Sequence, residues 1–359
     1  MGEYSKFISE KRRSVPTPHS IVRDDGICEF GTFDKEFINL DLLRAKKPTS
    51  SPQRNNKKRL TLWQAIEIHF EQGILFVAIS DMSLFGTNLN LFFDKRTKKV
   101  TQWMTNLKSK DTVIAPNLLD GNFAEAKHKR GFAKIINDLQ KDELRVFGCH
   151  INKQGVKLEY DFKLLRVSKP SVVSIPFGVN RPMYTQKDLF AVEGKMIFDG
   201  EEIRATDDTT AIMDDHRGYY PRKMHYDWLS TMCKSLNGEE KYFAFNLTRN
   251  QSISQKDFNE NLIWFKDETS LLPPVTFKQN IPTKKFLNGA VWTVKDDYDM
   301  VNLTFKIQDI FKMEVHALVV DIRYYIVFGV LEGYLRDEDG NKICLDGLTA
   351  MGEDKTMFF

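Results

Sequence analysis

The densest concentration of reactive side chains lies in residues 210–228, TAIMDDHRGYYPRKMHYDW. There Asp214, Asp215, His216, Arg217, Arg222, Lys223, His225 and Asp227 stand among Tyr219, Tyr220, Tyr226 and Trp228. A carboxylate beside an imidazole is the minimum for general acid–base work, because the acid orients the ring and raises its basicity. If the first part of the segment is a strand, its two-residue period puts Asp214 and His216 on one side. Asp215 and Arg217 fall on the other, with Arg217 expected to pair with an acid such as Asp215, and Gly218 and Pro221 enforce a bend. Asp214 and His216 are therefore the candidate catalytic residues. Arg217, Tyr219, Tyr220, Tyr226 and Trp228, with Tyr325 farther along, are the candidate ligand-binding residues. A purely structural ion-pair network would use the same residue types.

Other chemistries find less support. His216 and His225 are nine residues apart with acids between them, but HxH, HExxH and HxxxH spacings do not occur, and no metal site is expected. Cys149 and His150 are adjacent, so on a strand they point to opposite faces and cannot form a catalytic dyad. Asp337-Glu338-Asp339-Gly340 resembles the start of a calcium loop, yet its Gly comes too early and position twelve is Leu348, so a hairpin turn is expected. GxGxxG, GxxxxGK[ST] and GxSxG strings are missing, which leaves nucleotide-binding and α/β-hydrolase readings unsupported; no cofactor is implied.

The elements that must position these residues read as strands. Asp-Gly or Asn-Gly pairs, the strongest short hairpin signal, begin at Asp25, Asp120, Asp199, Asn237, Asn288, Asp339 and Asp346. Between them, Val156, Leu158, Tyr160, Phe162 and Leu164 share one face of an alternating run, and Val301, Leu303, Phe305 and Ile307 share another. Segments 60–70 and 74–80, separated by EQG, read as a hairpin, followed by a strand over 84–93. The stretch 122–139 has weak helical periodicity interrupted by Gly131 and reads as one long strand. Phe70, Phe76, Phe85, Phe92 and Phe93 on successive strands either line a cavity for an apolar ligand or fill the core. Serial strands with few helices, over a length suiting two units of about 150 residues, indicate two antiparallel β-barrels or sandwiches.

The 359 residues carry 52 Lys and Arg against 49 Asp and Glu, a net of +3. Seven of the cations, Arg44, Lys46, Lys47, Arg54, Lys57, Lys58 and Arg59, fall in one acid-free run, and the remaining 45 face 49 acids, a net of −4. The basicity is local. It speaks for one arm that meets an acidic protein surface, anionic lipid or RNA, and against a broad, specific nucleic-acid face. No apolar run approaches the ~20 residues of a spanning helix, so no transmembrane segment is expected. Four separated cysteines and an N-terminus without a signal-peptide core point to reduced thiols and an intracellular, cytoplasmic protein.

Five stretches carry a resemblance to a known family. They are FGTFDKEFINLDLLRAKKP (31–49), IPFGVNRPMYTQKDLFAVEGKM (175–196), AIMDDHRGYYPRKMHYDWLS (211–230), NLIWFKDETSLLPPVTF (261–277) and VFGVLEGYLRDEDGNKICLDGLTAMGED (327–354). In collinear order these resemble domain of unknown function family 2804. That family looks more distantly similar to two-domain lipocalin-like proteins that include carotenoid hydratases and, by architecture, tocopherol cyclase. In the wider group Ala-Trp-Met-Asp-x-x-x-Gly precedes Trp-Asp-Trp; here Ala211, Met213, Asp214, Gly218, Asp227 and Trp228 match. Ile212, His216 and Tyr226 depart from the pattern, as do Tyr325-Ile326-Val327 and Lys355 at places where His is usual.

The resemblance implies an all-β chain of two lipocalin-like antiparallel β-barrels packed side by side behind an irregular N-terminal arm. The expected divisions are 1–59 for arm and basic connector, 60–205 for the first barrel and 206–359 for the second. Three functions are compatible with this architecture. One is binding of an apolar or amphipathic small molecule or lipid; one is a non-catalytic accessory subunit of a larger assembly. The third is a cofactor-independent hydratase or cyclase acting by protonation from Asp214 or His216.

Overall fold

A computed structural model describes every residue except 1, 84, 266–267, 281–288, 318–319 and 359. Leu84 and Asn288, each part of an expected strand or turn, lie outside the described residues. The first compact unit comprises Ser14–Arg96 and Thr101–Tyr220. Its strands begin with β1 (Gly31–Phe33), β2 (Thr61–His69), β3 (Gly73–Asp81), β4 (Phe85–Asp94), β5 (Lys99–Lys108), β6 (Thr112–Val113) and β7 (Asn122–His128). They continue with β8 (Gly131–Asp138), β9 (Glu143–Ile151), β10 (Lys157–Arg166), β11 (Ser171–Pro176), β12 (Pro182–Phe198), β13 (Glu201–Arg204) and β14 (Thr210–Gly218).

These strands form one antiparallel sheet with the path β5-β4-β3-β2-β14-β12-β10-β9-β8-β7-β6. The path curls until its ends nearly meet, and Asn88 on β4 donates to the Ala126 carbonyl on β7 at 3.4 Å. Because β14 inserts between β2 and β12, the unit runs on to Tyr220, past the division expected at 205.

Alternation explains the core. On β10, Leu158, Tyr160, Phe162 and Leu164 are buried while Lys157, Glu159, Asp161 and Lys163 are exposed. The inward residues join Ile66, Ile68, Phe70, Phe92, Val146 and Met213 in one apolar cluster. Phe70 and Phe92 belong to it, but Phe76 and Phe93 are buried on the opposite face of β3 and β4, so the five phenylalanines do not line one cavity. The segment 122–139 is a hairpin of β7 and β8 turning at Lys129-Arg130, not one long strand. Within the core, Tyr160 donates to Asn90 Oδ1 at 2.8 Å and lies 3.4 Å from His150 Nε2. Cys149 is exposed and His150 buried, as strand alternation requires.

Residues 14–59 are largely irregular, yet they are anchored. Phe33, Phe37, Leu40 and Leu42 form a second cluster with Val172, Tyr184 and Tyr219. Glu36 pairs with Arg166, which also approaches Asp188 at 3.4 Å and contacts Asp142.

The second unit comprises Met1–Arg13, Thr97–Val100 and Pro221–Phe359. Its strands are β15 (Lys223–Leu236), β16 (Glu239–Arg249), β17 (Leu262–Phe265), β18 (Glu268–Leu271) and β19 (Thr276–Asn280). After them come β20 (Val291–Lys295), β21 (Val301–Ala317), β22 (Val320–Arg336), β23 (Lys342–Cys344) and β24 (Thr349–Phe358). The antiparallel order is β18-β17-β16-β15-β24-β22-β21-β20-β19. This sheet curls into a half-barrel, so of the two barrels expected only the first approaches closure. Its core includes Leu229, Phe243, Trp292, Leu303, Phe305 and Val327. Asn237-Gly238 makes the two-residue turn from β15 to β16 with φ of 52° and 83°, the positive values that a type I′ hairpin needs.

Candidate acid–base site

Asp214 and His216 project from the face of β14 opposite Ala211 and Met213, which belong to the apolar core. Cross-strand neighbours complete the cluster, since Lys187 on β12 pairs with Asp214, Thr185 with His216, and Trp63 on β2 with His216. Lys187 Nζ and His216 Nε2 each lie 3.0 Å from Asp214 Oδ1. These are ion-pair contacts and not aligned hydrogen bonds, because Asp214 Oδ1 has no partner of hydrogen-bond geometry. Lys187 Nζ also donates to Thr185 Oγ1 at 2.8 Å and sits 3.1 Å from His216 Nε2. Tyr220 Oη is 3.4 Å from His216 Nδ1. The Trp63 ring stacks on His216 at 4.5 Å with 12° between planes, and on Tyr220 at 5.5 Å.

Burial pushes the Asp214 carboxyl up, but His216 and Lys187 outweigh it and hold the group down at about 2. Asp214 is therefore a fixed anion and cannot serve as a proton donor at neutral pH. Its side chain keeps 17% of its surface open while Lys187 keeps 2%, so an approaching molecule meets the carboxylate before the ammonium.

The remaining candidates divide between other places. Arg217 faces the core side of β14, where its Nε donates to Asp215 Oδ2 at 2.8 Å and its NH1 to the Pro116 carbonyl at 2.9 Å. Tyr219 donates to the Leu42 carbonyl at 3.0 Å and packs in the cluster of residues 21–45. In the second unit, Tyr226 and Tyr324 donate to the two oxygens of Glu353 at 2.8 and 2.7 Å. Lys355 Nζ lies 4.5 Å from the Tyr324 ring centroid, and burial pulls its ammonium down to about 8 against the attraction of Glu353. Trp228 Nε1 donates to Asn246 Oδ1 at 2.5 Å. Tyr325 is bonded to Glu314.

His225, Asp227 and Asp354 offer ligand atoms within 4.8 Å of one another, a set that could hold a metal ion. Arg249 already supplies a cation there, 2.5 Å from Asp227 Oδ2 and 3.0 Å from His225 Nε2. The hydrogen bond to Asp227 raises the His225 pKa, as does the charge of Asp354. These residues suit an ion-pair network better than a metal.

In the basic run, Lys46, Lys47, Arg54, Lys57 and Lys58 are exposed. Arg44 pairs with Asp24 at 2.8 Å, and Arg59 reaches the Tyr220 carbonyl at 3.4 Å.

Sequence reasoning missed Lys187, Thr185 and Trp63. Thr185-x-Lys187 has the same two-residue period as Asp214-x-His216, but neither segment says that β12 and β14 are neighbours.

The fold and site together define an all-β protein of two curled antiparallel sheets, the first of which buries an ion cluster on the face away from its core. The chain belongs to the family described as domain of unknown function (DUF2804), which matches residues 12–359. No curated protein matches it. Among solved structures it is similar to kievitone hydratase from Nectria haematococca, with 11% identity and a TM-score of 0.47 over 83% of this chain and 88% of that one. It is also similar to CghA with Sch210972, at 9% identity and a TM-score of 0.39 over 83% and 88%. CghA in a second structure gives 8% identity and 0.34 over 98% and 96%. Likenesses this distant assign neither an activity nor a ligand. Among the described residues no helix is long and apolar enough to cross a membrane.

Proposed function

We propose that the protein binds an apolar or amphipathic small molecule and moves a proton on it without a cofactor, with His216 as proton carrier. The observation that supports this reading is the Asp214–Lys187–His216 cluster flanked by Trp63 and Tyr220. Asp214 balances the charge of the ring, Lys187 stabilises negative charge that develops on the bound molecule, and the stacked rings favour an apolar one. A hydratase or cyclase type of reaction on an isoprenoid-like substrate fits such a group, since both begin with protonation.

Incubating the purified protein with a panel of isoprenoid and polyketide alkenes and ketones in D2O, and reading deuterium uptake by mass spectrometry, tests the reading. Uptake by at least one panel member should be lost in both Asp214→Asn and His216→Gln. Uptake unchanged in the two variants, or none with the wild type, would sink it.

The basic run favours a second property, docking of an acidic protein partner by Lys46, Lys47, Arg54, Lys57 and Lys58. Five exposed cations in one short run release counterions on meeting an acidic surface.

A further inference from the structure

The registers of β12, β14, β2 and β3 lay out the non-core face of the first sheet as a grid. One cross-strand row holds Thr185, His216, Trp63 and Ser80, and the next holds Lys187, Asp214, Ala65 and Ala78. A third holds Leu189, Ile212, Glu67 and Phe76, and a fourth Ala191, Thr210, His69 and Ile74. Rows on one face are two residues, about 7 Å, apart. The second row is low, because Ala65 and Ala78 present only methyl groups beside the Asp214–Lys187 pair. Ala78, Asp214 and Trp63 keep some exposure, whereas Ala65, Glu67, His69, Ile212 and Phe76 are buried.

Beyond this alanine floor stands another imidazole–carboxylate pair. His69 Nε2 lies 2.6 Å from Glu67 Oε1, with side-chain exposures of 6% and 2%. Cross-strand from His69, the Thr210 hydroxyl is buried and makes no hydrogen bond among the described residues. A buried hydroxyl left unpaired costs stability, and one beside a carboxylate–imidazole pair is available to a bound molecule.

We infer that Glu67–His69 is a second proton-transfer pair, and that the substrate is an apolar carbonyl compound lying across Ala65 and Ala78. This rests on the reading of the Asp214 cluster as catalytic. The Glu67 carboxylate takes a proton from carbon α to the carbonyl, and the C–H electron pair moves into the C–C–O system. Lys187 stabilises the oxyanion that results, and His216, in the row on the other side of the alanines, delivers a proton to the same carbon from its opposite face. His69 and Glu67 pass the abstracted proton to solvent and His216 regains one, so the product is an isomer of the substrate and no oxidant or reductant is consumed.

The proton-removal half is testable with 5-nitrobenzisoxazole, in which loss of the ring C–H proton to a base breaks the N–O bond and releases a coloured cyanonitrophenolate. The wild-type protein should turn this probe over with saturation. Glu67→Gln should lower kcat/KM by about 100-fold and His69→Gln by about 10-fold, while Glu125→Gln on β7, where the carboxylate pairs with Lys134, leaves it unchanged. Should Glu67→Gln not fold, as judged by circular dichroism, Glu67→Asp should lower kcat with KM unchanged. Full turnover in Glu67→Gln or Glu67→Asp, or wild-type turnover no faster than free acetate, would overturn the inference. The Asp214 reading is judged separately by deuterium uptake in Asp214→Asn, so either can fail while the other stands.

Discussion

Lys187 Nζ stands 3.0 Å from Asp214 Oδ1, and the two residues are direct cross-strand partners on β12 and β14. The pair joins a strand whose chain position precedes β14 by about one hairpin to the segment that carries His216. Removing either member leaves the other charge buried beside an imidazole.

Lys187→Met should therefore destabilise the fold by about 3–5 kcal/mol, since an uncompensated buried carboxylate costs more than the pair contributes. Urea unfolding of Lys187→Met, Asp214→Asn and the double variant measures this. The double variant should recover part of the loss, and a single-variant cost below about 1 kcal/mol would show that the ammonium does not hold the carboxylate.

The Asp214 carboxyl titrates at about 2 in the folded protein, below its ordinary value of 3.8. A depressed acid contributes stability that is fully present above its unfolded pKa and is lost as pH falls toward the folded one. Wild type should lose about 2 kcal/mol more than Asp214→Asn between pH 4 and pH 2. Parallel stability curves for the two proteins over that window would contradict the shift.

Burial pushes the His150 imidazole down to about 4 from 6.5. The folded state holds the neutral ring while the unfolded chain protonates it, so stability is complete above pH 6.5 and is lost as pH falls toward 4. His150→Gln should remove about 3 kcal/mol of that acid-side loss, read as the difference in urea midpoints at pH 7 and pH 4. If the variant and wild type decline equally, Tyr160 and Asn90 do not enclose a neutral ring.

Docking through the basic run should weaken steeply with salt. With polyglutamate as the acidic probe, replacing Lys46, Lys47, Lys57 and Lys58 by Gln should flatten the dependence of Kd on salt and shift Tm by less than about 2 °C. Arg59 is left in place because it reaches the Tyr220 carbonyl. Binding of equal strength and equal salt dependence in the variant would remove the run from recognition.

The strands were legible wherever one face meets water. Leu158 to Leu164 and Val301 to Ile307 alternate in sequence and in burial alike. The long strand β12 was harder, because its first nine residues are buried on both faces and show no alternation. The turn at Lys129-Arg130 carries neither Asn nor Asp before its Gly131, so the β7–β8 hairpin looked continuous. At the site, the period of two placed Asp214 with His216 and Asp215 with Arg217, as the geometry bears out. Glu67-x-His69 carries the same signal on β2, but its neighbours Ile66 and Ile68 mark it as core strand. Which strands lie side by side is set by long-range pairing, and no local pattern announces Lys187 beside Asp214.

In each sheet the strand that completes the register is made last. β14 pairs with β2, about 140 residues earlier, and β24 enters between β15 and β22. A ribosome releasing this chain thus holds an unclosed seam on β2 and β12 until Gly218 has emerged, and a second on β15 and β22 until Thr349–Phe358 follow. During synthesis the edges that invite pairing with another chain are those strands, so a nascent-chain chaperone has its longest task there. A stop codon before Thr349 would leave that second seam open for good.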